Sequence, residues 1–136
     1  MHAISIHDRH EEGNFRWLAV DLIDILRLYE PEAAASSWQC RNFWCVPETC
    51  DPVRDDSDSG KHLSDPEMLR WAEGWQQVID GEFVATREGE SEPWLIILAR
   101  DSSFYVVLAR EDSTLEPVRK HFKDVQLAPY WAKQYA

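Results

Sequence analysis

An α+β fold built on an antiparallel sheet is predicted by three observations. Two six-residue runs, Trp94–Ala99 and Phe104–Ala109, are apolar at every position and flank the polar tetrad Arg100-Asp101-Ser102-Ser103. Runs of this length rich in β-branched and aromatic residues favour strand over helix, and Asp and Ser side chains satisfy turn backbone groups locally. A third strand-like run, Glu82–Arg87, precedes the pair, and the helical patterns lie outside this stretch instead of alternating with it. That arrangement argues for α+β over repeated βαβ units. The expected centre is a three-stranded meander over about 82–110, packed against two longer helices, about 15–29 and 65–79, and a short C-terminal helix.

Strand side chains alternate between faces. Trp94, Ile96 and Leu98 are expected to point one way, and Leu95, Ile97 and Ala99 the other. Neither set is polar, so both faces need a cover, supplied by helices of the chain, a second chain or a ligand.

From the N-terminus, Ala3–His7 reads as a short edge strand, and His2, His7 and His10 as surface histidines near a terminus. Phe15, Leu18, Ala19, Leu22, Ile25, Leu26 and Tyr29 recur at helical spacing, with Asn14 as N-cap and Pro31 as stop. Trp38–Val46 reads as a strand with Trp38, Cys40, Trp44 and Val46 on one face and Gln39, Arg41, Phe43 and Cys45 on the other. Pro47 closes it, and residues 48–62, which include Asp55-Asp56-Ser57-Asp58-Ser59-Gly60, read as a long exposed acidic loop. Ser64-Asp65-Pro66-Glu67 has the form of a capping box with proline in the first turn. The helix it starts carries the stripe Met68, Ala72, Trp75 and Ile79 and stops at Asp80-Gly81. Beyond the meander, Ser113 or Thr114 caps a short helix through Leu115, Val118 and Phe122. Asp124–Ala128 reads as a last strand and 129–136 as an aromatic tail.

At 136 residues the chain is expected to be one domain spanning 1–136. No apolar run approaches the roughly 20 residues of a membrane helix, and residues 1–14 are polar without a signal pattern. The expectation is a cytoplasmic protein with no membrane partner. A net charge of −11 disfavours nucleic acid, which is held by clustered Lys and Arg, and favours a basic protein partner.

No motif demands a particular chemistry. Cys40, Cys45 and Cys50 recur every five residues, whereas structural zinc sites pair ligands two to four apart and add a second pair downstream. His62 is the one fourth ligand within reach of the loop; buried or incidental thiols are the simpler reading. The aspartate loop fails the calcium pattern, with Ser57 and Ser59 at the third and fifth positions and Pro66 at the twelfth. There is no nucleophile elbow and no glycine-rich phosphate loop, so no catalytic residue, cofactor or metal is assigned.

Seven tryptophans is a high count for this length. Trp17, Trp71, Trp75 and Trp94 fall on apolar stripes and are expected in the core. Trp38 and Trp44, six apart on one strand face, are candidates for an exposed aromatic patch, as is Trp131 in the tail. The densest negative charge is in Asp55, Asp56 and Asp58 and in Glu88, Glu90 and Glu92. These six acids, with Trp38 and Trp44, form the expected protein-binding set. In composition the chain is similar to inhibitor or immunity proteins that neutralise basic enzymes, a similarity that implies a basic partner and assigns no site.

Three functions follow as expectations. The first is a non-catalytic interaction module, inhibitory or regulatory, that presents acidic loops to a basic protein. The second is a small-molecule binder or enzyme with a pocket near the 38–46 strand, using Cys40, Cys45, Arg41 or His62. The third is a homodimer formed through an uncovered sheet face.

Overall fold

The computed structural model describes residues 1–12, 15–46, 62–74 and 77–135. The fold is α+β, as expected. A seven-stranded sheet runs in the order β5-β4-β6-β7-β8-β1-β9, every described pairing antiparallel, beside a two-stranded hairpin β2-β3. The strands are β1 (His2–Ile6), β2 (Arg9–Glu12), β3 (Phe15–Leu18), β4 (Ser36–Val46), β5 (His62–Ser64), β6 (Gln77–Arg87), β7 (Leu95–Arg100), β8 (Phe104–Ala109) and β9 (Val125–Leu127). The helices are α1 (Leu22–Leu28), α2 (Glu30–Ala33), α3 (Asp65–Glu73), α4 (Glu116–His121), entered from a 3₁₀ turn at Asp112–Leu115, and α5 (Pro129–Gln134).

The expected meander is present as β6-β7-β8, with Val84 opposite Ile96 and Leu98 opposite Val106. The β7–β8 turn holds Asp101 and Ser102 at positive φ, 52° and 56°. Strand β6 holds it there: the Asp101 N–H donates to the Asp80 side-chain Oδ1 at 2.9 Å and the Ser102 N–H to the Ile79 backbone O at 3.0 Å.

Both faces of the meander are covered. Leu95, Ile97, Ala99, Tyr105 and Val107 face a main core filled by α1, α3 and α4 through Leu22, Ile25, Leu26, Met68 and Val118. Ile96, Leu98, Val106 and Leu108 face outward and are covered by Trp131, Ala132 and Tyr135 of the C-terminal segment. Trp94 departs from the expected alternation. It precedes the first ladder pair, joins the main core, and donates from Nε1 to Ser36 Oγ at 2.9 Å.

Several boundaries differ from the expected ones. The first helix begins at Leu22, because Phe15–Leu18 pairs with Arg9–Glu12 as a hairpin. Asp24 accepts from the Asp21 N–H at 3.0 Å and fixes the helix start there. Over four residues an apolar pattern fits strand and helix equally, and tertiary pairing decides. The proposed N-cap Asn14 lies outside the described residues. The second helix starts as expected, with Ser64 Oγ accepting from the Glu67 N–H at 3.3 Å and Glu67 Oε1 accepting from the Ser64 N–H at 3.2 Å. It ends at Glu73 with Gly74 as cap, and residues 77–80 belong to β6. β1 is an inner strand between β8 and β9, where an edge strand was expected.

Gly81 is therefore a strand residue and not a helix cap. A Cβ there would stand 2.8 Å from Phe83 Cζ and 3.3 Å from Phe43 Cδ2. Phe83 is fully buried and edge-packed on Phe43 at 5.7 Å, so neither ring has space to retreat. Gly81→Ala is expected to lower stability by about 1–3 kcal/mol through overpacking, read as a lower urea midpoint with an unchanged m-value.

Candidate functional site

Strand β4 changes phase at a bulge. Asn42 has φ 51° and the register with β6 shifts between Arg41 and Trp44 and again between Trp44 and Cys45. Trp38, Cys40 and Phe43 consequently all face the main core, while Ser37, Gln39 and Arg41 face outward. A one-residue insertion flips the side chains after it to the other face, up to the next register shift. This corrects the expected grouping of Trp38 with Trp44. Trp38 is completely buried and unavailable to a partner, whereas Trp44 is 51% exposed.

The outward residues of β5, β4 and β6 form the floor of an open groove of about 780 Å³. Ser37 lies opposite Ser64 on one side and Thr86 on the other, giving a cross-strand row of three hydroxyls. One step along, Gln39 lies between His62 and Val84, and Val84 faces Ile96. The loop at Arg87–Ser91 walls one end, where Gly89, at φ 80°, supplies the left-handed turn residue and the Glu90 N–H closes on Arg87 O at 3.0 Å. Tyr135 stands on the remaining side. Its hydroxyl donates to Glu82 Oε1 at 3.2 Å, Glu82 lies 3.7 Å from Arg100 Nη2, and the Arg100 guanidinium sits 4.8 Å over the Trp131 ring.

Charge is distributed unevenly along the groove. Arg41 donates from Nη2 and Nε to Gln39 Oε1 at 2.6 and 3.1 Å and makes no ion pair among the described residues. Arg87 is occupied over the Trp94 ring at 4.2 Å, and Glu90 is paired with Arg110 Nη1 at 3.2 Å. Arg110 also donates to Glu92 O at 2.6 Å and Pro93 O at 3.1 Å, which pins the acidic loop to the sheet end. Glu88 is exposed and, among the described residues, makes no ion pair.

Ser37 Oγ and His62 Nδ1 are 3.2 Å apart, the spacing of a nucleophile and its base. The rest of such a site is missing among the described residues: no carboxylate orients His62, and Ser37 is paired in ladders on both sides, which commits the nearby backbone donors. The pair is equipped for hydrogen bonding. Cys40 lies on the buried face with Sγ 3.7 Å from Met68 Sδ, and burial pushes its thiol up to about 12, so no thiolate forms at neutral pH. Among the described residues no group of three His, Cys, Asp or Glu side chains is placed to hold a metal.

Of the expected protein-binding set, Glu88, Glu90 and Glu92 sit together in the β6–β7 loop, with Glu88 and Glu90 lining the groove. Trp44 is opposite Asp80, toward the other end of β4 from Ser36, which pairs with Arg87, so the structure does not bring it to the same surface. Asp55, Asp56, Asp58 and Cys50 lie outside the described residues, as does the Cys45 side chain. His7 stacks on Phe104 at 5.3 Å and His2 Nδ1 lies 3.8 Å from Asp112 Oδ1. Ser37, Gln39, Ser64 and Thr86 were not anticipated as site residues. Their signal was the alternation of Ser37, Gln39 and Arg41 with Trp38 and Cys40, a period of two with one polar face.

No family model matches the chain, and neither curated proteins nor solved structures provide a match.

Behind the groove, Trp38 Nε1 donates to Asp65 Oδ1 at 2.9 Å, tying β4 to the start of α3. Asp65 is only 5% exposed, and this desolvation raises its carboxyl above the ordinary range, the Trp38 bond opposing part of the rise. Folded Asp65 thus holds its proton to higher pH than unfolded Asp65. Its contribution to stability grows as pH falls from the folded value toward the ordinary carboxylate value. Asp65→Asn is expected to remove that component, so the stability difference between wild type and variant should change sigmoidally across this acidic window. Denaturant midpoints measured at a series of pH values test it; a flat difference rules it out.

Proposed function

We propose that this chain is a non-catalytic, cytoplasmic interaction module, inhibitory or regulatory in role, that receives a segment of a basic protein in the groove over β5, β4 and β6. The observation that carries this reading is the groove itself: open, floored by hydrogen-bonding side chains, and rimmed by exposed Glu88 and Glu90. A net charge of −11 adds long-range attraction for a basic surface. The absence among the described residues of an acid behind His62 and of a free backbone donor pair beside Ser37 favours binding over catalysis. A homodimer through the β7–β8 outer face has less support, since the C-terminal segment already covers those side chains.

A photo-crosslinking residue at Thr86 tests the proposal in native lysate. The expected product is a cross-link to a basic protein at low salt, lost at high salt and lost in the Glu88→Lys/Glu90→Lys variant. Cross-linking that ignores both salt and the rim charges would refute it.

A small-molecule ligand in the same groove is the second reading. It is favoured by the volume, which lies within the roughly 300–1,000 Å³ typical of ligand sites. It predicts a salt-insensitive rise in melting temperature with a polar small molecule and none in a Thr86→Trp variant that fills the floor.

A further inference from the structure

We infer that the groove is bipolar and selects an extended segment of about seven residues with an acidic side chain at one end and a basic side chain at the other; the inference rests on the polypeptide-binding reading above. Of the charged lining residues that make no ion pair among the described residues, Arg41, Arg87 and Glu88, Arg41 and Glu88 are the pair of opposite sign not held over an aromatic ring. The other charged side chains of the floor and walls are already engaged, Arg87 on Trp94 and Glu90 with Arg110. Just beyond the floor Glu82 is held by Tyr135 and Arg100, so Arg41 is not neutralised by its cross-strand neighbour.

Arg41 pairs in register with Glu82, and Glu88 lies six residues further along the same strand direction. At about 3.3 Å per residue the two charges are roughly 20 Å apart, the distance from the first to the seventh residue of an extended segment, whose side chains share one face. Between them the surface changes character. Val84 and Ile96, both largely buried, border the groove with their edges beside the Ser64-Ser37-Thr86 hydroxyl row, which suits small side chains and an accompanying backbone. The segment would lie with its carboxylate by Arg41 and His62 and its ammonium or guanidinium by Glu88. A purely basic segment places a like charge against Arg41, and a purely acidic one places a like charge against Glu88.

The probes are dye-labelled, end-capped heptapeptides sharing a Ser-Val-Ser-Val-Ser centre and carrying Glu and Lys, Lys and Lys, or Glu and Glu at their ends, so that both end side chains fall on one face of an extended segment. Anisotropy titrations at low salt measure affinity, and amide chemical shifts of Val84 and Thr86 report where each peptide sits. The Glu/Lys peptide is expected to bind roughly fivefold more tightly than the other two, the ratio given by about 1 kcal/mol of exposed charge complementarity. Arg41→Glu should transfer the preference to the Lys/Lys peptide and Glu88→Lys to the Glu/Glu peptide. A wild-type preference for Lys/Lys that Arg41→Glu leaves unchanged would overturn bipolar selection while leaving the basic-partner reading intact. Failure of all three peptides to move the Val84 and Thr86 amides would overturn both.

Discussion

The β7–β8 hairpin is apolar on both faces, and the surrounding architecture follows from the need to shield it twice. Antiparallel sheets commonly cover one face and wet the other. Here Leu98, Val106, Val107 and Leu108 are all completely buried although they point to opposite sides. Removing a Leu, Ile or Val side chain from water contributes about 1.5–3 kcal/mol. Leaving the four such groups of the outer face wet, Ile96, Leu98, Val106 and Leu108, would therefore forfeit a sum comparable to a small domain's whole stability. The inner side is closed by α1, α3 and α4, and the outer side by the C-terminal segment.

The outer cover stops where the sheet changes chemistry. Over β7, β8 and β1 it meets Ile96, Leu98, Val106, Leu108 and Ala3; over β4 and β5 it would meet Ser37, Gln39, Arg41, His62 and Ser64. Covering the second group without matching partners costs about 1–3 kcal/mol for each stranded polar group. The groove is the part of the sheet that hydrophobic covering has no reason to close. The Tyr135 bond to Glu82 and the Arg100 contact with Trp131 fix the boundary between the two halves.

The bulge at Asn42 gives β4 its two roles. Before it, Trp38 and Cys40 are core residues and their neighbours are groove floor; after it, Phe43 takes the core position against Phe83, and Trp44 is turned to solvent. Trp38 further links the groove floor to α3 through the buried Asp65 carboxylate. The floor thus stands on a packed and hydrogen-bonded layer, and rigid support of that kind limits the entropy a binding surface loses when a ligand settles.

Local chemistry was enough to read the meander, the Ser64–Glu67 capping box, the strand at Trp38 and the acidic β6–β7 loop. Each depends on side chains within a few residues of one another, where sequence spacing translates directly into spatial neighbours. The sequence by itself also determined that both faces of β7 and β8 need a cover. Tertiary structure alone decided that Phe15–Leu18 joins a hairpin, that β1 sits inside the sheet, that Gly81 makes room for Phe83, and that Arg41 and Glu88 stand at opposite ends of one groove. Those outcomes rest on strand order and on register shifts in the β4–β6 ladder, both set by pairings between residues far apart in the chain. A periodicity measured along the chain carries no information about which distant segment will supply the partner.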